Sequence, residues 1–198
     1  MGPAGSEADG DAAALRVRVL GGLAVDGLAE ARLGSRKART LLKRLVLARG
    51  AAVPASTLVD VLWGDAPPAR PDDQLAVLVS RLRRVLGRAR LPRSSAGYAL
   101  QVDWLDLDEL DALVGRADAA LRDGRAGAAR AAADAALRLA RGPVLADDDA
   151  DWIEADRVRA DVLVGRAAGV VAAAALAAGD HTAAIVAAEA QLGRDPHD

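Results

Sequence analysis

SRKARTLLKRLVLARGAAVPASTLVDVLWGDAPPARPDDQLAVLVSRLRRVLGRARLPRSSAGYALQV, residues 35–102, is the stretch whose reading decides the fold. Ser35 is a good N-cap, and a helical period follows it to about residue 48. Ala38, Leu41, Leu42, Leu45 and Val46 fall on one face, with Arg36, Lys37, Arg39, Lys43 and Arg44 on the other. Gly50 ends this helix. A second, at about 55–63, buries Leu58, Val59 and Leu62, and the GDAPP run at 64–68 then forces a loop. The third opens at Pro71, with Asp72 and Asp73 where the helix dipole favours negative charge, and continues to about residue 86. Leu75, Val79, Leu82 and Leu86 form its inward stripe, and Gln74, Val77, Ser80, Arg81 and Arg84 lie opposite. After Gly87, residues 91–94 and 98–102 flank a Ser95-Ala96-Gly97 turn and read as a β-hairpin. Two short helices, a third with a cationic outer face and a hairpin describe a winged helix-turn-helix.

Charge points the same way. Residues 36–93 hold thirteen Lys and Arg against four Asp, a local balance of +9 in a chain whose net charge is −2. Residues 1–104 carry +6 and residues 105–198 carry −8. That asymmetry suits a half that binds a polyanion joined to a half with a different partner. Upstream, LRVRVL at 15–20, residues 23–25 and residues 28–33, separated by Gly21-Gly22 and Asp26-Gly27, predict a small antiparallel sheet. Residues 1–14 are small and polar and read as a flexible leader.

The second half reads as helical throughout. A stripe of Leu107, Leu110, Val114, Ala117 and Leu121 ends at Asp123-Gly124. A helix at about 126–139 stops at Arg141-Gly142-Pro143, and a longer one from near 151 reaches about 178 before Gly179-Asp180. Gly124, Ala128, Ala129 and Ala132 recur as Gly179, Ala183, Ala184 and Ala187 at an offset of 55, the signature of duplicated antiparallel helix pairs. Asp195-Pro196 lies where a further helix would open. The expected fold class is therefore mainly α with small β: a winged helix over 15–104 and a helical repeat domain over 105–198.

Several classes of function find no support in the residues. The chain has no Cys, so disulfides and thiolate metal sites are excluded. No signal segment and no unbroken apolar run of spanning length is read, so the expected location is the cytoplasm, without a membrane partner. The Asp147-Asp148-Asp149-Ala150-Asp151 run lacks the ligand spacing and turn glycine of a calcium loop and reads as a charged helix start. His181 and His197 stand apart from other ligands, no phosphate loop occurs, and no nucleophile has a base beside it. Neither a cofactor, nor a metal, nor catalysis is expected.

Together KART at 37–40, LVDVLWGDAPPAR at 58–70, VSRLRRVLG at 79–87, GYALQVD at 97–103 and LRLARGPVL at 137–145 resemble the Streptomyces antibiotic regulatory protein family, from about residue 15 onward. The resemblance implies a response-regulator-type winged helix followed by a bacterial transcriptional activation domain of tetratricopeptide-like helices. It implies a transcriptional activator that binds direct repeats in promoters and recruits RNA polymerase holoenzyme, expected to serve a secondary-metabolite gene cluster; because one winged helix covers only a short site, a homodimer on DNA is expected as well. By position, the family's DNA-facing surface falls on Gln74, Val77, Leu78, Ser80, Arg81 and Arg84, with Arg83 nearer the phosphates. Arg93 and Tyr98 fall in the wing, Tyr98 in a structural or a phosphate-contacting role, and Lys37 and Arg39 add cations from the first helix. Asp65 and Arg70 fall in the loop that faces the polymerase sigma subunit. The family usually has a polar residue where this chain has Leu78, and Arg where it has Ser94. Those departures keep open an alternative, an interaction adaptor acting through its helical repeats. Family activation domains also continue through further helices, so the final helix is expected to leave an apolar face that favours dimerisation or aggregation.

Overall fold

The computed structural model describes residues 14–192, so the leader expected at 1–14 falls almost wholly outside the described residues, as does Asp195-Pro196. Strand β1 (Arg16–Arg18) pairs antiparallel with β2 (Ala24–Val25). The expected third antiparallel strand at 28–33 is instead a loop closing in a 3-10 turn, Glu30–Leu33, that buries Leu33. The sheet's third strand comes from the far side of the winged helix: β5 (Trp104–Leu105) lies parallel to β1.

Helix α1 (Arg36–Leu47) is capped by Ser35, whose hydroxyl accepts from the Ala38 N–H at 3.3 Å. Its apolar face meets α2 (Ala55–Trp63) and α3 (Pro71–Leu86). Leu41, Leu42, Leu45, Leu58, Leu75, Val79 and Leu82 are essentially inaccessible to solvent, as their helical spacing requires. The hairpin is β3 (Arg93–Ser94) and β4 (Gly97–Tyr98), shorter than the sequence suggested. It is tied to the entrance of α2 by two backbone hydrogen bonds between Tyr98 and Val53, at 2.8 and 3.0 Å. Gly97 is required there. Its φ is +130°, and a Cβ would sit 2.0 Å from the Val53 carbonyl oxygen.

The second half is four helices: α4 (Asp106–Arg122), α5 (Ala126–Leu139), α6 (Glu154–Ala177) and α7 (His181–Leu192). The repeat read from spacing appears in the backbone. Gly124 and Gly179 have φ of +74° and +77°, and each turn closes with the same pair of bonds, Gly124 to Leu121 and Arg125 to Ala120 in one, Gly179 to Leu176 and Asp180 to Ala175 in the other. Ala129 and Ala184, equivalent in the two pairs, are both buried, where a small side chain lets the helices approach closely. One segment, Asp151–Ala177, is long and apolar enough to cross a membrane, which the sequence reading did not register because Arg166 interrupts it. In this fold it packs against α4, α5 and α7, which bury Ala160, Leu163, Ala167, Val170 and Ala174, while Val158, Val162 and Leu176 stay exposed.

The halves share one continuous core. Asp106, the first residue of α4, is fully buried, and its carboxylate accepts from the Val19 and Leu20 N–H groups at 2.8 and 3.0 Å. Burial pushes its pKa up, opposed by those bonds, one from Leu107 and the charge of Arg141. The loop after α5 then returns to the sheet, with Leu145 donating to Val19 and Gly21 to Pro143.

Candidate nucleic-acid interface

The outer face of α3 is built by a stripe mismatch. Leu75, Val79, Leu82 and Leu86 hold one side of the helix in the core, which turns Gln74, Val77, Ser80, Arg81 and Arg84 outward, all exposed. Val77 keeps 45% of its surface accessible, the one large apolar side chain so exposed in the winged helix among the described residues. Leu78 does not belong to this face. It is 7% exposed, because three residues after Leu75 and four before Leu82 it lies at the edge of the buried stripe. The position that departs from the family pattern is therefore a core position here.

The structure also redistributes the cations. Lys43, expected on the solvent face of α1, is 6% exposed and bridges Asp147 and Asp148 at 3.0 and 3.2 Å. The aspartate run thus does more than begin a helix: it receives α1. Burial would push the Asp147 carboxyl up, but the Lys43 hydrogen bond, a backbone bond and the charges of Lys43 and Arg39 together hold it below the ordinary value. Arg44 lies over the Trp152 ring at 5.9 Å. Arg49 reaches Asp108 on α4 at 3.3 Å and Asp156 on α6 at 3.6 Å. Lys37 donates to the Leu62 carbonyl and lies 5.0 Å over Trp63, and Arg39 donates to the Gly34 carbonyl at 2.8 Å and pairs with Glu30 at 3.3 Å. These two cations, expected to reach a duplex, are each engaged by neighbouring groups of the winged helix. On α1, Lys43 and Arg44 dock the helical half, and Arg49 just beyond it does the same.

Around α3 the picture differs. Arg81, Arg84 and Arg88 are exposed and carry no ion pair among the described residues. Arg88 is an addition to the expected surface; its only sequence signal was its place just past Gly87. Arg83, expected near phosphates, is half-buried and donates from Nε and Nη2 to the Leu91 carbonyl at 2.9 and 2.8 Å. In the wing Tyr98 is 4% exposed, which favours its structural role, and the exposed Arg93 guanidinium sits 5.3 Å above its ring. Asp65 and Arg70 are both exposed on the loop between α2 and α3, with Arg70 4.0 Å from Asp73. Trp63 is half-buried against the core.

Helices α1–α3 with the β3–β4 hairpin, followed by the paired helices α4–α7, define a winged helix-turn-helix fused to a helical-repeat domain, with exposed Arg81, Arg84, Arg88 and Arg93 on its outer face. Comparison with known proteins places that class. The family described as transcriptional regulatory protein, C terminal, matches residues 30–99, and the bacterial transcriptional activator domain matches residues 105–198. The regulatory protein AfsR of Streptomyces coelicolor is 37% identical over 162 residues, covering 79% of this chain and 16% of its own length. The transcriptional regulatory protein EmbR of Mycobacterium tuberculosis is 31% identical over 163 residues, covering 70% of this chain and 42% of its own. A solved structure of Mycobacterium tuberculosis EmbR in complex with a low affinity phosphopeptide superposes with a TM-score of 0.82 at 30% identity, over 92% of this chain and 51% of that one. The chain spans about half of EmbR at most and 16% of AfsR. It belongs to the Streptomyces antibiotic regulatory protein family of transcriptional regulators.

Proposed function

We propose that this protein is a sequence-specific DNA-binding transcriptional activator that works by binding and recruitment. The observation that carries the reading is the outer face of α3: of the α1 cations Lys37, Arg39, Lys43 and Arg44 have partners within the protein and Arg36 alone is exposed without one, while Arg81 and Arg84 stand exposed and without ion pairs among the described residues, beside Gln74, Val77 and Ser80. A major groove admits one helix. Arg pairs with guanine edges, Gln with adenine, and an apolar side chain such as Val77 meets a thymine methyl. Arg88 and Arg93 take phosphates on either side. Gel-shift titration against promoter fragments at two salt concentrations tests this; binding indifferent to sequence and to salt would refute it.

One winged helix covers a short site, so tight occupancy calls for two copies on repeated half-sites, and we assign direct repeats in promoters as the target and a homodimer as the bound form. The exposed Asp65 and Arg70 are assigned to the RNA polymerase holoenzyme, facing its sigma subunit, with the helical half completing recruitment. The place of action is the cytoplasm, at the nucleoid, and the regulated genes are those of a secondary-metabolite cluster. Leu78, whose apolar side chain favoured an adaptor reading, is a core residue and gives that reading no support.

A further inference from the structure

We propose that Arg83 is a positioning residue that presets the wing against the recognition helix, and that it does not contact DNA phosphate; this rests on the DNA-binding reading above. The geometry carries it. Arg83 lies on α3 but on the flank beside Val79 and Leu82, half-buried, and its guanidinium spends Nε and Nη2 on one acceptor, the Leu91 carbonyl, at 2.9 and 2.8 Å. Leu91 is itself fully buried and begins the segment that becomes β3. The arrangement needs the planar fork of arginine, because both donors must reach one oxygen in the plane of the guanidinium; a lysine offers a single rotating ammonium on a flexible stem.

Two further ties complete the seat. Arg90 donates from Nη1 to Asp103 at 2.5 Å, and the same carboxylate oxygen accepts the Leu15 N–H at 2.6 Å. Gln101 N–H donates to the Arg90 carbonyl and Ala99 N–H to the Pro92 carbonyl, at 2.8 and 3.2 Å. The wing therefore leaves α3 along a path fixed at Leu91, and Arg93 stands over Tyr98 as the end of that path. A wing held this way meets DNA already ordered. The Tyr98–Val53 bonds still hold the far strand of the hairpin when the Arg83 fork is lost, but the approach at Leu91 and Pro92 that sets the angle of β3 has to be ordered on binding, and fixing even one residue costs about a factor of ten in affinity.

The test is a set of three variants of the full chain, R83K, R83A and R81A, titrated on the same operator fragment across a range of salt, with amide exchange of the free proteins in parallel. The expected result is that R83K and R83A each bind about tenfold more weakly. Their salt slope should stay unchanged, because the bound wing still meets the same phosphates, and exchange should quicken at the Ala99 and Gln101 amides. R81A should lower the slope and leave those amides protected. Restoration of wild-type affinity in R83K, or a slope reduced by about 0.9 in R83A, would show a phosphate contact and overturn the proposal. Absence of operator binding by the wild-type protein would instead overturn the DNA-binding reading, a distinguishable failure.

Discussion

Raising the salt concentration from 50 to 200 mM should weaken operator binding about 150-fold for each bound chain, a slope of roughly −3.6 in log affinity against log salt. The figure follows from which cations are uncommitted. Arg81, Arg84 and Arg88 are exposed without ion pairs among the described residues, and Arg93 is exposed over its tyrosine, which makes four groups able to displace counter-ions from DNA. Were the α1 face in play as well, Arg36, Lys37, Arg39, Lys43 and Arg44 would bring the number to nine and the slope to about −8. The structure disfavours this, because Lys43 is buried between two aspartates, Lys37 and Arg39 are held by carbonyls and Glu30, and Arg44 lies over Trp152, which leaves Arg36 as the one α1 cation without a partner among the described residues and able to add at most about −0.9 to the slope. Fluorescence anisotropy with a labelled fragment containing one half-site, at five or six salt concentrations, measures the slope directly. A value steeper than about −6 would mean that the α1 cations leave their partners to meet phosphates, and the assignment of Lys43 and Arg44 to the join with the helical half would be wrong.

Three other expectations follow from the join between the halves. D106A leaves the buried Val19 and Leu20 N–H groups without an acceptor, at about 1–3 kcal/mol each, and should lower the melting temperature by roughly 10 °C by scanning calorimetry. D106N, which keeps one acceptor oxygen, should fall between that and wild type, and equality with wild type would refute the capping role. K43M should cost about 1 kcal/mol at neutral pH, because Asp147 is largely solvated while Lys43 and Asp148 are not. Because Asp147 titrates below its ordinary value of 3.8 when folded, that contribution is complete above about pH 4 and lost as pH falls through the folded pKa. Urea melts of wild type and K43M should therefore converge in acid, and a constant gap would contradict the ion pair.

Most of the winged helix was legible because burial imposes period. Ser35, Pro71 and the spacing of Leu41, Leu45, Leu75, Val79 and Leu82 fix three helices by rules that need no long-range information. The repeat in the second half was legible for the same reason, through glycines that permit a positive φ and alanines at the helix contacts. What spacing could not give was the far partner of each polar group. Lys43 looks solvated in sequence and is buried only because Asp147 and Asp148 come to it from 104 and 105 residues away. The sheet's third strand was missed likewise, since β5 joins β1 across the whole winged helix. Leu78 was misplaced by carrying a family position over its own helical phase, which the neighbouring Leu75 and Leu82 already gave.

The central claim is that the outer face of α3 discriminates among base pairs. Its most direct measurement is the affinity of wild type and of R81A/R84A for an operator fragment and for a shuffled fragment of the same composition. The expected result is that wild type prefers the operator and that the double variant loses about 1–3 kcal/mol of that preference for each base-reading arginine, binding both fragments alike. Unchanged discrimination in R81A/R84A would contradict the account.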